Sequence, residues 1–204
     1  MIEFLIGTSL AASAGLNAWM PLFLLGLADR ILPAVELPAA WSWLSADLSL
    51  WIIGALLLLE IVADKIPALD SVNDVIQSIL RPAAGGIAFG AGAGSQTLAV
   101  DDPTSFFTDN GWVPVVAGIA IALVVHAVKA TTRIAANATT GGLAAPVLST
   151  AEDGASFALA AAALLVPVLA ALLLLALIVG GIALLRRRTR RRERGDHPPA
   201  GVQT

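Results

Sequence analysis

Trp51-Ile52-Ile53-Gly54-Ala55-Leu56-Leu57-Leu58-Leu59-Glu60-Ile61-Val62-Ala63-Asp64-Lys65 is the stretch whose reading decides the fold class. It is an apolar helix former that ends in charge. Glu60 and Asp64 stand four residues apart, so a helix puts both carboxylates on one face. Trp41 and Trp43 precede it, the aromatic pattern that marks the edge of a membrane span. The composition points the same way: 57% of the 204 residues are hydrophobic, only 13% are charged, and the mean hydropathy is +0.84. A soluble domain carries roughly 25% charged residues. A chain this small exposes too much surface to hide the excess in a water-soluble globule. The expectation is an all-α, polytopic transmembrane bundle of about five spans, in residues 1–185, with broken or re-entrant helices.

Upstream, an apolar stretch runs from about Phe4 to Leu27 and is interrupted by Gly15, Asn17 and Pro21. Met1-Ile2-Glu3-Phe4 lacks the basic start of a secretory leader, so the segment reads as mature protein. Downstream, Val72, Val75, Ile76, Ile79 and Leu80 follow helical spacing and predict a short amphipathic helix over residues 70–81, capped by Asp70 or Ser71. A third span is expected from Pro82 to about Val100, with Gly86, Gly90 and Gly94 as a smooth packing face. An acidic loop, residues 101–111, leads to a fourth span opening at Trp112. There His126, Lys129 and Arg133 share a helix face. A segment rich in small residues holds Gly142 and Pro146, and a last apolar stretch, residues 155–185, contains Pro167.

Charge is unevenly spread. The net charge is −3, from 12 Lys and Arg against 15 Asp and Glu. Residues 186–204 hold seven arginines against Glu193 and Asp196, leaving the body strongly acidic. Beside a long apolar helix, such a tail reads as a disordered cytoplasmic segment that meets anionic lipid headgroups rather than nucleic acid. With five crossings and the tail inside, the N-terminus lies outside. That puts Lys65, Arg81, Lys129 and Arg133 on the outer side, against the positive-inside tendency unless they are buried and paired.

Ionisable residues within spans are candidates for function. The candidate charge network comprises Glu60, Asp64, Lys65, Asp70, Asp74, Arg81, His126, Lys129, Arg133, Glu152 and Asp153. Two readings of it stay open: a salt-bridged staple between helix ends, or an acid–base group lining a polar cavity. The interruptions at Gly15, Asn17 and Pro21 and at Gly142 and Pro146 echo one another, which allows an internal repeat of the kind transporters use.

Known catalytic patterns do not fit. Asp74 stands where a membrane lipid phosphatase needs the Lys ahead of its Arg-Pro, here Arg81-Pro82. Ser95 is followed by Gln96 rather than the Gly of an intramembrane serine protease, and Asp153-Gly154-Ala155 lacks the Arg of an alcohol phosphatidyltransferase. There is no Gly-rich nucleotide loop and no cysteine, and only His126 and His197 among histidines. The reading therefore assigns no catalytic residue, metal or cofactor, and an enzyme is the lesser expectation.

Ala14-Gly15-Leu16-Asn17-Ala18 with Pro21-Leu22, Ala63-Asp64-Lys65-Ile66-Pro67 with Asp70 and Asp74, Arg81-Pro82, His126 with Lys129-Ala130, and Ser149 with Glu152-Asp153 form an ordered set of motifs. In this set, residues 5–175 resemble a bacterial integral membrane family known as domain of unknown function 4126. Ala145 stands where the resemblance leads one to expect Asn before Pro146. The resemblance implies a multi-pass inner-membrane protein and supplies no activity. The function expected is that of a small transporter-like or permease-like protein for an ion or small polar solute. A scaffold or lipid-binding protein is the alternative and a lipid-modifying enzyme the third, and the glycine face is compatible with a homo-oligomer.

Overall fold

In the computed structural model, residues 1–94 and 112–195 are described; within them the side chains of residues 67, 68, 70, 71, 181 and 183–195 are not. The end of the third apolar stretch, the acidic loop 101–111 and residues 196–204 lie outside the described residues. The described chain is all-α: α1 (Ile2–Leu16), α2 (Trp19–Ile31), a 3-10 helix (Ala39–Ser45), α3 (Asp47–Ala63), α4 (Pro67–Ala93), α5 (Trp112–Thr140), α6 (Ala145–Leu165) and α7 (Pro167–Gly195).

The expected apolar stretches break where side chains and prolines compete with the helical ladder. α1 stops at Asn17, whose backbone is extended. Asn17 Oδ1 accepts the Trp19 and Met20 N–H groups at 3.2 and 3.0 Å, capping the first turn of α2. Pro21 sits in that same turn, where its missing N–H costs little. The 3-10 helix and α3 together are apolar enough to cross a membrane but are bent by 64°. The last apolar stretch is two helices, because Val166 leaves the helical region (φ −145°) ahead of Pro167.

One expected boundary is absent. The short amphipathic helix over residues 70–81 and the span starting at Pro82 are a single helix, α4, which begins at Pro67 and carries Pro82 inside it. Pro82 removes one N–H bond, to Ser78. The buried row Gln77, Arg81, Ala84, Gly85, Ala88 nevertheless runs unbroken past the proline and holds the helix against α1 and α5. The apolar stripe also faces the other way from that of a surface helix. Val72, Val75, Ile76 and Ile79 are exposed, whereas Gln77 and Arg81 are buried and Asn73 and Asp74 are half-buried.

α1 is the centre of the bundle: eleven of its 15 residues are buried, against α4, α5 and α6. Alanine and glycine dominate that core, so backbones lie close. α5 buries one stripe, Pro114, Gly118, Ala122, His126, Lys129 and Arg133, which passes from small residues to charged ones along its length. Its other faces expose Val113, Val116, Ile119, Leu123 and Val124. α5 is long and apolar enough to cross a membrane; α1 and the Pro167–Gly180 part of α7 are apolar but shorter.

Candidate functional site: a buried charge network at a helix break

The α1–α2 break frees backbone groups that the interior fills with charge. The Leu16 carbonyl accepts a hydrogen bond from Lys129 Nζ at 2.7 Å. The Ala18 N–H donates to Glu60 Oε2 at 3.1 Å. The break thus presents an acceptor to a cation and a donor to an anion within three residues. Each contact agrees with the helix dipoles, negative at the end of α1 and positive at the start of α2.

From these two anchors the network spreads through five helices. Glu60 Oε1 accepts from Arg81 Nη2 at 3.0 Å. Asp64, at the end of α3, is the hub: its Oδ2 lies 3.2 Å from Lys129 Nζ, 3.1 Å from Arg133 Nη2 and 3.6 Å from Arg81 Nη2. Asp64 Oδ1 accepts from Asn73 Nδ2 at 2.6 Å. Glu152 closes the far side, 3.2 Å from Lys129 Nζ and accepting from Arg133 through Nε at 2.9 Å and through Nη2. Its neighbour Asp153 accepts from Lys65 Nζ at 2.9 Å and from Asn17 Nδ2 at 3.0 Å, returning to the break. Arg81 and Arg133 are among the most completely buried large side chains of the molecule, at 0% and 1% exposure. Burying bare charge costs several kcal/mol per ion, on general estimates, so an opposite charge beside each buried ion is what the burial requires.

His126 has a defined tautomer. Arg81 Nη1 donates to His126 Nδ1 at 2.8 Å, and because a guanidinium only donates, Nδ1 carries no proton. The ring is therefore neutral with its hydrogen on Nε2, which donates to Ser78 Oγ at 3.1 Å, and Ser78 in turn donates to the Asp74 carbonyl at 2.8 Å. Asp74 Oδ1 lies 3.7 Å from Arg81 Nη1 and accepts no hydrogen bond, and Arg81 Nε has no acceptor. Counting described side chains, Glu60, Asp64, Asp74, Glu152 and Asp153 oppose Lys65, Arg81, Lys129 and Arg133. Among the described side chains this is five acids against four bases.

All the sequence-derived network residues whose side chains are described meet here. Asp70 lies on the α4 backbone, its side chain outside the description. Glu60 takes Arg81 as its ion-pair partner, and Lys129 takes Asp64 and Glu152. Gly142 and Pro146 are not part of the site. Gly141 and Gly142 adopt positive φ (62° and 90°) in the α5–α6 turn, and Pro146 opens α6. Sequence reading did not place Asn73 or Ser78 in the site; the signal for both was their position on the polar face of α4 with Asp74, Gln77 and Arg81.

A family model covers nearly all of these elements, matching residues 4–187 under the description "Domain of unknown function (DUF4126)". The chain belongs to the DUF4126 family. No curated protein and no solved structure matches it.

Within this DUF4126 chain Asn17 is the residue that joins the break to the charges, and it is fully buried. Asn17→Ala is expected to cost about 2 kcal/mol, the upper part of the range for losing a helix cap, because Asp153 loses a donor as well. Thermal unfolding in detergent measures it, and an unchanged midpoint would refute the role given to Asn17.

Proposed function

We propose that the chain is a multi-pass protein of the cytoplasmic membrane that moves a cation or small polar solute through the network at the α1–α2 break. Membrane residence is supported by the inside-out distribution of residues. α4 and α5 turn Val, Ile and Leu outward and keep Arg81, His126, Lys129 and Arg133 within. Water would reverse that arrangement; lipid favours it. Transport rests on one observation: the freed Leu16 carbonyl and Ala18 N–H contact the ionised groups of Lys129 and Glu60. Transporters use broken helices in this way, aiming half-helix ends and unwound backbone at charged cargo. Here Lys129 and Glu60 hold those places, an arrangement suited to an occluded state in which internal charges release the backbone to an incoming solute. The extra carboxyl group among the described network residues, five acids to four bases, favours a cation.

Purified protein in proteoliposomes should dissipate an imposed proton or monovalent-cation gradient, and Glu60→Gln should slow that flux at least tenfold while the protein stays in the membrane pellet after a carbonate wash. Absence of flux for every cation and small polar solute tested would remove the transport reading. For orientation, a tag after Thr204 should be labelled by an impermeant reagent only after the membrane is opened; labelling in intact cells would reverse it.

The second reading is a scaffold. It is favoured by the closure of the network on itself, since Lys65, Arg81, Lys129 and Arg133 each lie within 3.2 Å of a carboxylate.

A further inference from the structure

A groove of about 530 Å³ opens between α5, α6 and α7. Its walls are Val125 and Val128 from α5, Leu148 and Ala155 from α6, and Leu177 and Ile182 from α7. Lys129 and Glu152 reach it, but their charged ends are turned into the network: Lys129 Nζ is already surrounded by the Leu16 carbonyl, Asp64 and Glu152. The groove therefore offers an occupant apolar surface and methylene stems rather than a free charge. Its volume falls within the range of sites that enclose a small ligand, roughly 300–1,000 Å³. α7 is one helix from Pro167 to Gly195. The arginine run begins at residue 186, four residues after the wall residue Ile182 and about 6 Å further along the axis.

We infer that this groove holds an acyl chain of an anionic phospholipid from the surrounding bilayer, with its headgroup at the arginine-bearing end of α7. The inference rests on the membrane reading above and is independent of transport. An apolar groove open to lipid fills with acyl chain, and the seven arginines that follow it, against one acid up to residue 194, select for negative headgroup charge. Gly180 supplies a clean probe. It lines the groove, and a Cβ added there meets nothing within 4 Å. A large side chain at 180 thus starts from a groove-lining position with open space around it.

Full-length protein in a mild detergent, titrated with phosphatidylglycerol or phosphatidylcholine of identical acyl chains, is read by native mass spectrometry. The expected result is a one-to-one lipid adduct with about tenfold preference for phosphatidylglycerol. Gly180→Trp should weaken both lipids at least tenfold with an unchanged melting midpoint, and Ala155→Leu, the second groove-filling variant, should act in the same direction. Replacing Arg186, Arg187 and Arg188 by Ser should erase the preference and retain the adduct. Equal binding of the two lipids by the unaltered protein would overturn the anionic assignment. Adducts indifferent to both groove-filling variants would overturn the groove. A dimer that Gly180→Trp converts to monomer, with no lipid adduct, would give the groove to a second copy of the chain. Protein recovered without detergent in the soluble fraction would overturn the membrane reading itself, whereas membrane-bound protein with no adduct overturns only the groove.

Discussion

Asp64→Asn is expected to destabilise the protein by on the order of 3–5 kcal/mol, the cost of removing one partner from a buried ion pair. It should exceed every other single change in the network. The reason is geometric: Lys129, Arg133 and Arg81 all lie within 3.6 Å of one Asp64 oxygen. Neutralising it leaves three cations converging on an amide that must turn a donor or a weak acceptor toward them. Glu60→Gln frees one guanidinium contact and is expected to cost less. Thermal unfolding in detergent gives the ranking. A loss within about 0.5 kcal/mol for Asp64→Asn, the scale of ordinary surface changes, would mean that water reaches the cluster and screens it. The double variant Asp64→Asn with Lys129→Gln then separates the two readings of function. Removing a base together with the acid restores part of the charge balance, so both readings predict a partial return of stability. A staple returns its activity with its stability. A transport site folds and stays inactive, because the Leu16 carbonyl has lost the ammonium that it held.

The spacing of Glu60 with Asp64, and of His126 with Lys129 and Arg133, places these groups on two helix faces from the sequence alone. In the structure the ends do meet, Asp64 lying between Lys129 and Arg133. The partner of Glu60 was not legible. Arg81 belongs to a third helix 21 residues away, and no local pattern fixes which of several bases a buried acid will face. α4 shows a different limit. Its hydrophobic periodicity was legible over residues 72–80, but a period states only that two faces differ. Which face turns inward depends on the solvent, and here the polar side does. Pro82 looked like a helix start because proline suits the first turn. It lies inside α4 because Arg81, Ala84, Gly85 and Ala88 gain burial on both sides of it, which outweighs one missing N–H bond. The Asn17 break was visible as an interruption. That its backbone would meet Lys129 and Glu60, residues 113 and 42 positions away, was not.

Glycine packing shows the same division between pattern and contact, and the second large effect is expected there. Gly86, Gly90 and Gly94 repeat every four residues and were the natural choice for a packing face. A Cβ at these positions would stand 2.9 Å from the Ile119 side chain and 3.0 Å from the Val115 carbonyl, 3.0 Å from the Trp41 ring, and 2.9 Å from the Pro38 ring, all longer than the two closest contacts at Gly85. The tighter contact is one residue away. A Cβ on Gly85 would lie 2.3 Å from Ala122 Cβ and 2.7 Å from the Gly118 carbonyl, and one on Gly118 only 2.2 Å from the Gly85 carbonyl. Backbone meets backbone at this crossing of α4 and α5, so neither side has a rotamer with which to yield. Gly85→Leu is therefore expected to cost about 3 kcal/mol, the upper end of the usual range for overpacking, and Gly90→Leu distinctly less. Gly154→Ala, where a Cβ meets nothing within 4 Å, should leave the melting midpoint unchanged. Equal tolerance at 85 and 154 would show that α4 and α5 do not cross this closely. On the membrane proposal, lipid supplies no hydrophobic drive between helices, and close approach of small residues is then the main adhesion at this crossing. The same crossing continues along α5 to His126, Lys129 and Arg133. A side chain that wedges Gly85 from Gly118 should therefore also lengthen the Arg81–His126 contact, and on the transport proposal Gly85→Leu should lower flux even where the protein still folds.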